Sequence, residues 1–455
     1  METTGYRVAI VGAGPTGFYA ADELLKAAQL NVQVDMFERL PAPYGLVRYG
    51  VAPDHLKIKN VTAIFDKVAD SQRFRFFGNV AIGSTLALEQ LRKHYHAVIL
   101  TTGASSDRRL GLDNEDAFGS HPATAFVGWY NGHPDFRNAK FNLDCRRAVV
   151  VGVGNVAIDV ARILVSSYDE LKQSDIAEHA LEALAKSKIE EVVIVGRRGP
   201  VQAAFTNPEL KELEELSDAD FWAQPDEVKL DEYSAAFLAK EPDKAVTKRL
   251  EMLERAAQRN GQRSKQKLLS LRFCWSPSQL SVDDQGTLSG VRLQKNSLTK
   301  TLQARGIDEY EDLSAGLLLR SVGYRGVAVE DVPFDSKSAT IANQQGRVMA
   351  DGQHQVGHYT AGWIKRGPSG VIGTNKPCAK ETVACLLEDL QAGRHLHPVS
   401  ADISEILAHH PVVDFPRWKG IDQLEKKRGE AVGRPRVKLT SVEEMLAALD
   451  QTALA

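Results

Sequence analysis

Two short apolar runs in this chain are each followed by a glycine-rich turn and then by a stretch with helical spacing. Tyr6–Val11 is the first, and Gly-Ala-Gly-Pro-Thr-Gly leads from it into an Ala/Leu-rich pattern from Phe18 to Ala28. Apolar residues recurring every three to four positions predict a helix there, and the run before it predicts a strand. Val32–Phe37 predicts a second strand, closed by Glu38, which stands 21 residues after Gly17. Strand, turn, helix and strand make one βαβ unit of a dinucleotide-binding fold. A further apolar run, Ala97–Thr101, ends in Gly103–Ala104, where such a chain passes close to a bound dinucleotide.

The pattern then returns. Ala148–Val151 predicts a strand, and Gly152-Val153-Gly154-Asn155-Val156-Ala157 opens a helix running to about Leu164. Its partner strand, Val192–Val195, comes after a polar, helical stretch around Ser166–Lys188 and ends in Gly196-Arg197-Arg198-Gly199. Gly316–Ser321 predicts one more strand of this set. Gly357–Trp363 then predicts a strand, followed by Gly-Pro-Ser-Gly-Val-Ile-Gly and a helix pattern, which returns the chain to the first unit. The fold class expected is α/β, with two Rossmann-like dinucleotide-binding domains. Residues 107–328 form the second, inserted into a discontinuous first domain of residues 1–106 and 329–455 that carries a C-terminal extension.

The two turns differ in chemistry. In the first, Gly12, Gly14 and Gly17 flank Pro15 and Thr16, giving a tight turn, close approach to pyrophosphate oxygens and close helix–strand packing. The positive end of the following helix then faces the phosphates. Glu38 offers two carboxylate oxygens to ribose hydroxyls, which suits FAD or NAD and not NADP. In the second turn Ala157 replaces the third glycine, and Arg197 and Arg198 stand where an acid would bind ribose. Planar guanidiniums match a 2′-phosphate, so that site is expected to prefer NADPH. Opposite charge logic implies two different dinucleotides, FAD and NADPH, and hydride transfer from nicotinamide C4 to flavin N5 at roughly 3–3.5 Å.

Composition narrows the field. A chain of 455 residues holds about two to three domains, and 43% hydrophobic with 25% charged residues is that of a soluble globular protein. A net charge of −3 supplies no field for a polyanion, so nucleic acid is not an expected partner. Cys145, Cys274, Cys378 and Cys385 form neither a disulfide framework nor a C-x-x-C pair, which removes a dithiol relay and points to a reducing compartment. No zinc-ligand spacing appears, and no metal is expected. The start, METTGYRVAI, lacks a basic leader, and no apolar stretch reaches 18 residues, so a cytoplasmic setting is expected. From Lys244 to Arg272 nine cations face two anions, a local charge of +7. Helical spacing puts Lys248, Arg255 and Arg259 on one face and Val246, Leu250, Leu253 and Ala257 on the opposite, core-facing stripe. Such a face fits an acidic electron carrier.

These residues resemble adrenodoxin reductase and its bacterial NADPH:ferredoxin reductase relatives nearly end to end. The likeness is carried by IVGAGPTG (10–17), GLVRYGVAPDH (45–55), RFFGNVAIG (75–83), FVGWYNG (126–132), GVGNVAIDVARI (152–163), VGRRGPVQAAF (195–205) and GWIKRGPSGVIG (362–373). It implies FAD contacts from the Gly14–Thr16 turn, Glu38, Gly45, Leu46, Arg48, Ile82, Trp363 and the Gly370-Val371-Ile372 backbone. For NADPH it implies Arg108, Val153–Val156, Arg197, Arg198, Glu209 and Gly370. His55, Asp159 and Glu212 fall at matching ionisable positions around the flavin and the path to the acceptor. Lys248, Arg249 and Arg255 are the nearest matches to the residues that meet the family's acidic iron–sulfur ferredoxin.

The function expected is therefore NADPH:ferredoxin oxidoreduction: hydride transfer to FAD, then single electrons to a ferredoxin that serves a cytochrome P450. A flavoprotein acting directly on quinones, dyes or oxygen is the alternative enzyme. A nucleotide-binding protein without turnover is the alternative of another class.

Overall fold

The computed structural model describes residues 5–399 and 402–452. Met1–Thr4, the head of the segment read above for a leader, lie outside the described residues. Two compact units emerge: one holds the chain up to Val51, His55–Ser106 and everything from Gly323 onward, and the other holds Ala52–Asp54 and Asp107–Val322. The return to the first unit thus falls at Gly323, ahead of the expected 329.

In the first unit a seven-stranded sheet runs Asn343–Gln344, Arg347–Ala350, Gln353–Thr360, Ala97–Leu100, Arg7–Val11, Gln33–Phe37, Phe74–Phe77. The five strands from Gln353–Thr360 to Phe74–Phe77 are parallel. Val8 and Ile10 point into one core with Phe18, Phe65 and Trp418, while Ala9 and Val11 point into another with Phe37, Phe77 and Tyr95. A strand buried on both faces has no polar side, which is why the sequence reads there as an unbroken apolar run. The C-terminal extension forms helices Phe415–Glu430 and Val442–Thr452, whose Trp418, Ile421 and Met445 join the first core.

The second unit repeats the plan with a six-stranded sheet, all parallel, ordered Ser120–Pro122, Leu317–Arg320, Arg147–Val151, Glu191–Gly196, Lys267–Phe273, Ala219–Ala223. Ala148 and Val150 face a helical core with Ile158 and Phe126. Val149 and Val151 face Trp275, Leu280, Val291 and Leu293. Those last residues belong to an antiparallel sheet of strands Trp275–Val282, Leu288–Leu298 and Ala304–Ser314, so one face of this unit is covered by strands instead of helices.

Two elements differ from the sequence expectation. The strand expected to reach Trp363 ends at Thr360; Gly362, at φ +78°, turns the chain, and Trp363 opens a one-turn helix to Arg366. The first helix starts at Pro15, inside the glycine turn, because proline at the head of a helix loses no hydrogen bond. Among the described residues no helix is long and apolar enough to cross a membrane.

Candidate dinucleotide sites

In the first sheet Arg7–Val11 lies between Gln33–Phe37 and Ala97–Leu100, and in the second Arg147–Val151 lies between Glu191–Gly196 and Leu317–Arg320, so strand order reverses beside each of them. A crevice opens at the carboxyl ends there, and ligands of such sheets bind in it. Both glycine turns sit at that point. Gly12 N donates to Phe37 O at 2.8 Å, and Gly152 N donates to Val195 O at 2.9 Å. Their φ values are +104° and +129°, and a Cβ would come within 2.7 Å of Thr101 O at Gly12 and 2.1 Å of Ser321 O at Gly152. Neither position tolerates a side chain. The two turns part company at their third fingerprint position: a Cβ on Gly17 would meet Gly12 O at 2.2 Å, whereas the second turn accommodates the methyl of Ala157.

At the second glycine of each turn the situation reverses. A Cβ on Gly14 or Gly154 would meet no atom within 4 Å. The missing side chains therefore leave open room in front of helices Pro15–Lys26 and Asn155–Val165, where a pyrophosphate needs to approach the backbone. This opening is the fit between these turns and a dinucleotide.

The strand ends beside the two turns differ in charge. Glu38 Oε2 accepts the Ala13 N–H at 3.0 Å and Oε1 accepts the Leu40 N–H at 3.2 Å. These bonds fix the carboxylate in place, while its oxygens remain acceptors that a ribose hydroxyl can reach. Burial raises its pKa, and the backbone donors of Ala13, Leu40 and Arg39, with the Arg39 charge, oppose that shift. In the second unit Arg197 is exposed and Arg198 half-buried, and neither guanidinium has a carboxylate partner among the described residues.

Other expected residues divide. Gly45, at φ +48°, packs its backbone on the first turn, since a Cβ there would lie 3.1 Å from Gly14 Cα. Leu46, next to it, is 37% exposed, Ile82 is half-buried, and Gly103 takes a left-handed φ of +73° with open space around it. Arg108 is exposed and Glu209 buried. Trp363 is half-buried, its Nε1 donating to Ser369 O at 3.2 Å and its ring 5.3 Å from that of Tyr324. Gly370–Ile372 lead through a short 3₁₀ turn into helix Asn375–Gln391.

Arg48 holds a place in the core. Its guanidinium makes two bonds to Glu425, at 2.9 and 2.5 Å, with both side chains almost wholly buried, and lies 5.0 Å from the Trp418 ring. Asp159 and Glu212 come together on one buried arginine: Arg162 donates a hydrogen bond to Asp159 and is ion-paired with Glu212, each at 3.1 Å, and also holds Asp54. His55 belongs to the first unit, where its carbonyl accepts the Ile58 N–H.

The basic segment is less uniform than its sequence suggests. Helix Lys244–Gln258 buries Met252, Leu253, Ala256 and Ala257, while Val246 and Leu250 are half-buried. Arg249 turns inward, donating to Ala203 O at 2.7 Å over the Phe205 ring. Arg255 and Arg259 share Glu214, at 3.1 and 3.7 Å, and Arg272 is buried against Glu227 and Glu311. Lys244 and Lys248 remain exposed.

Sequence reasoning missed Thr101, whose hydroxyl donates toward Val11 O and Gly12 O at 3.0 and 2.8 Å and so backs the first turn. A Thr at the end of the strand beside a glycine turn was the available signal.

Two such turns with opposite ribose chemistry define a two-dinucleotide oxidoreductase. A family model for pyridine nucleotide-disulphide oxidoreductases matches residues 6–215. The chain is 44% identical to NADPH-ferredoxin reductase FprA of Mycobacterium tuberculosis over 97% of its own length and 98% of the relative. It is 41% identical to the mitochondrial NADPH:adrenodoxin oxidoreductase of Salvelinus fontinalis, covering 97% and 90%. A solved structure of Mycobacterium tuberculosis FprA in complex with NADPH superposes with a TM-score of 0.92 at 44% identity, over 98% of this chain and 99% of that one. The chain belongs to the adrenodoxin reductase-like NADPH:ferredoxin reductases, oxidoreductases whose cofactors are FAD and NADPH. All four of its cysteines are free, so the disulphide in the broader family's name has no counterpart here.

Proposed function

We propose that this chain takes electrons from NADPH through FAD and delivers them singly to an acidic iron–sulfur ferredoxin, which in turn supplies a cytochrome P450. When bound, the flavin accepts a hydride and parts with its electrons one at a time. The chain's own work is to bind, orient and discriminate. The first turn and Glu38 hold a dinucleotide by bare ribose hydroxyls, and the second turn with Arg197 and Arg198 holds one by its 2′-phosphate. In this reading Arg108, Glu209 and Gly370 complete the NADPH contacts. Leu46, Ile82, Trp363 and the Gly370–Ile372 backbone complete those to the flavin. His55, Asp159 and Glu212 handle protons near the acceptor's path, with Arg162 holding the two carboxylates in place. Lys248, supported by Arg249 and Arg255, steers the ferredoxin, and the setting is cytoplasmic.

The observation that carries the proposal is the contrast at the two strand ends: a carboxylate fixed by backbone N–H groups in one unit, and two guanidiniums without carboxylate partners among the described residues in the other. Anaerobic stopped-flow mixing with NADPH tests it. Rapid bleaching of the flavin, followed by reoxidation on adding oxidised ferredoxin, is the expected result. Bleaching with strong turnover of quinones or dyes and no response to ferredoxin would favour the direct reductase, and no bleaching at all would favour a binding protein.

A further inference from the structure

The side chains that discriminate NADPH sit on a peptide whose carbonyls are gripped from outside the nucleotide fold. Asn296, on strand Leu288–Leu298 of the antiparallel sheet, is only 7% exposed. Its Nδ2 donates one hydrogen to Arg197 O at 3.0 Å and the other to Ser276 Oγ at 2.8 Å. Its own N–H donates to Cys274 O at 2.7 Å, and Cys274 N donates to Arg198 O at 3.1 Å. Both carbonyls of the Arg197–Arg198 pair are therefore held by one corner of the antiparallel sheet.

That corner is rigid for identifiable reasons. Cys274 adopts φ +60°, a left-handed conformation uncommon outside glycine, and it joins strand Lys267–Phe273 to strand Trp275–Val282. Glu227 pins it from both sides, accepting Phe273 N–H at 2.9 Å, Trp275 Nε1–H at 2.7 Å and the Arg272 guanidinium. Lys295 Nζ lies 4.8 Å from the Trp275 ring centroid, closing the outer side.

We propose that Asn296 is a positioning residue for NADPH over NADH: by fixing the Arg197 carbonyl it sets where the two guanidiniums point. This rests on the reading of Arg197 and Arg198 as the 2′-phosphate site. Bidentate recognition of a phosphate depends on direction, so a peptide free to rotate costs affinity for the phosphate and little for the rest of the nucleotide.

The test measures binding, not turnover. Isothermal titration of the flavin-loaded protein with 2′,5′-ADP and with 5′-ADP gives the ratio of the 5′-ADP dissociation constant to that of 2′,5′-ADP for wild type, Asn296→Ala and Arg197→Ala/Arg198→Ala. Asn296→Ala is expected to weaken 2′,5′-ADP on the order of five- to tenfold, the worth of one or two hydrogen bonds, with 5′-ADP changed less than about twofold. An unchanged ratio for Asn296→Ala, beside a collapsed ratio for the double arginine variant, overturns the positioning role alone. An unchanged ratio in the arginine variant overturns the 2′-phosphate reading beneath it. Should Asn296→Ala fail to fold, Ser276→Ala, which frees the Asn296 amide from its second partner, replaces it. A ratio lowered by about twofold or more supports the role, and an unaltered ratio overturns it.

Discussion

At the residue scale, the discriminating features are few and directional. Replacing Arg197 and Arg198 together by Ala is expected to weaken NADPH on the order of 100-fold while sparing NADH, because charge-assisted bonds contribute roughly 1.5–3 kcal/mol each. Nicotinamide nucleotide titration of the two forms checks it, and equal loss of both nucleotides would contradict the assignment. Gly14→Val would fill the open room before the first helix, so the purified protein is expected to come without flavin, read directly from its visible spectrum. These residues stand out in the sequence as candidates because each follows a local rule: glycine where a Cβ has no place or would block a ligand, acid or arginine at a strand end. The pairing of Arg48 was not legible in the same way. Its partner Glu425 is 377 positions away, and no spacing rule reaches that far.

The elements divide by how their burial repeats. Strands covered on both faces read as apolar runs, and the two Arg7–Val11 and Arg147–Val151 units were plain from that alone. The antiparallel sheet of residues 275–314 was not, since strand Ala304–Ser314 is mostly exposed and strongly charged and shows neither a run nor a clean alternation. Helix Lys244–Gln258 was legible as an amphipathic helix, but its cationic face was overdrawn because Glu214, from helix Asn207–Glu214, neutralises part of it. Lys248→Glu is therefore expected to slow ferredoxin reduction markedly at low salt and little at high salt. Arg255→Ala should do less, since its charge is already paired; stopped-flow rates across ionic strength decide between them. Glu425→Ala would leave Arg48 charged, buried and without its partner carboxylate, at a cost of about 3–5 kcal/mol, visible as a lower midpoint in urea.

For the whole molecule, acid is the expected weakness, and both units share it. Burial pushes His96 in the first unit down to about 4, helped by His395 and Arg7, and burial with Arg320 nearby does the same to His121 in the second. An ordinary histidine titrates near 6.5, so between about pH 6.5 and 4 the unfolded chain binds protons that the folded one refuses. Stability is then full above about 6.5 and falls as pH drops toward 4. Thermal melts across that range should show the midpoint descending, less steeply in His121→Phe than in wild type; a flat profile would remove the histidines from the account. The division into two units has a consequence for synthesis. Strand Gln353–Thr360 must line up beside Ala97–Leu100, and Thr360 reaches across 260 positions to bond Leu100 O. Everything the inserted unit needs, apart from the short Ala52–Asp54 piece already made, leaves the ribosome before that partner exists. The inserted unit can therefore mature first while the amino-terminal half waits with an open sheet edge, the interval in which a nascent chain is most exposed to chaperones and to aggregation.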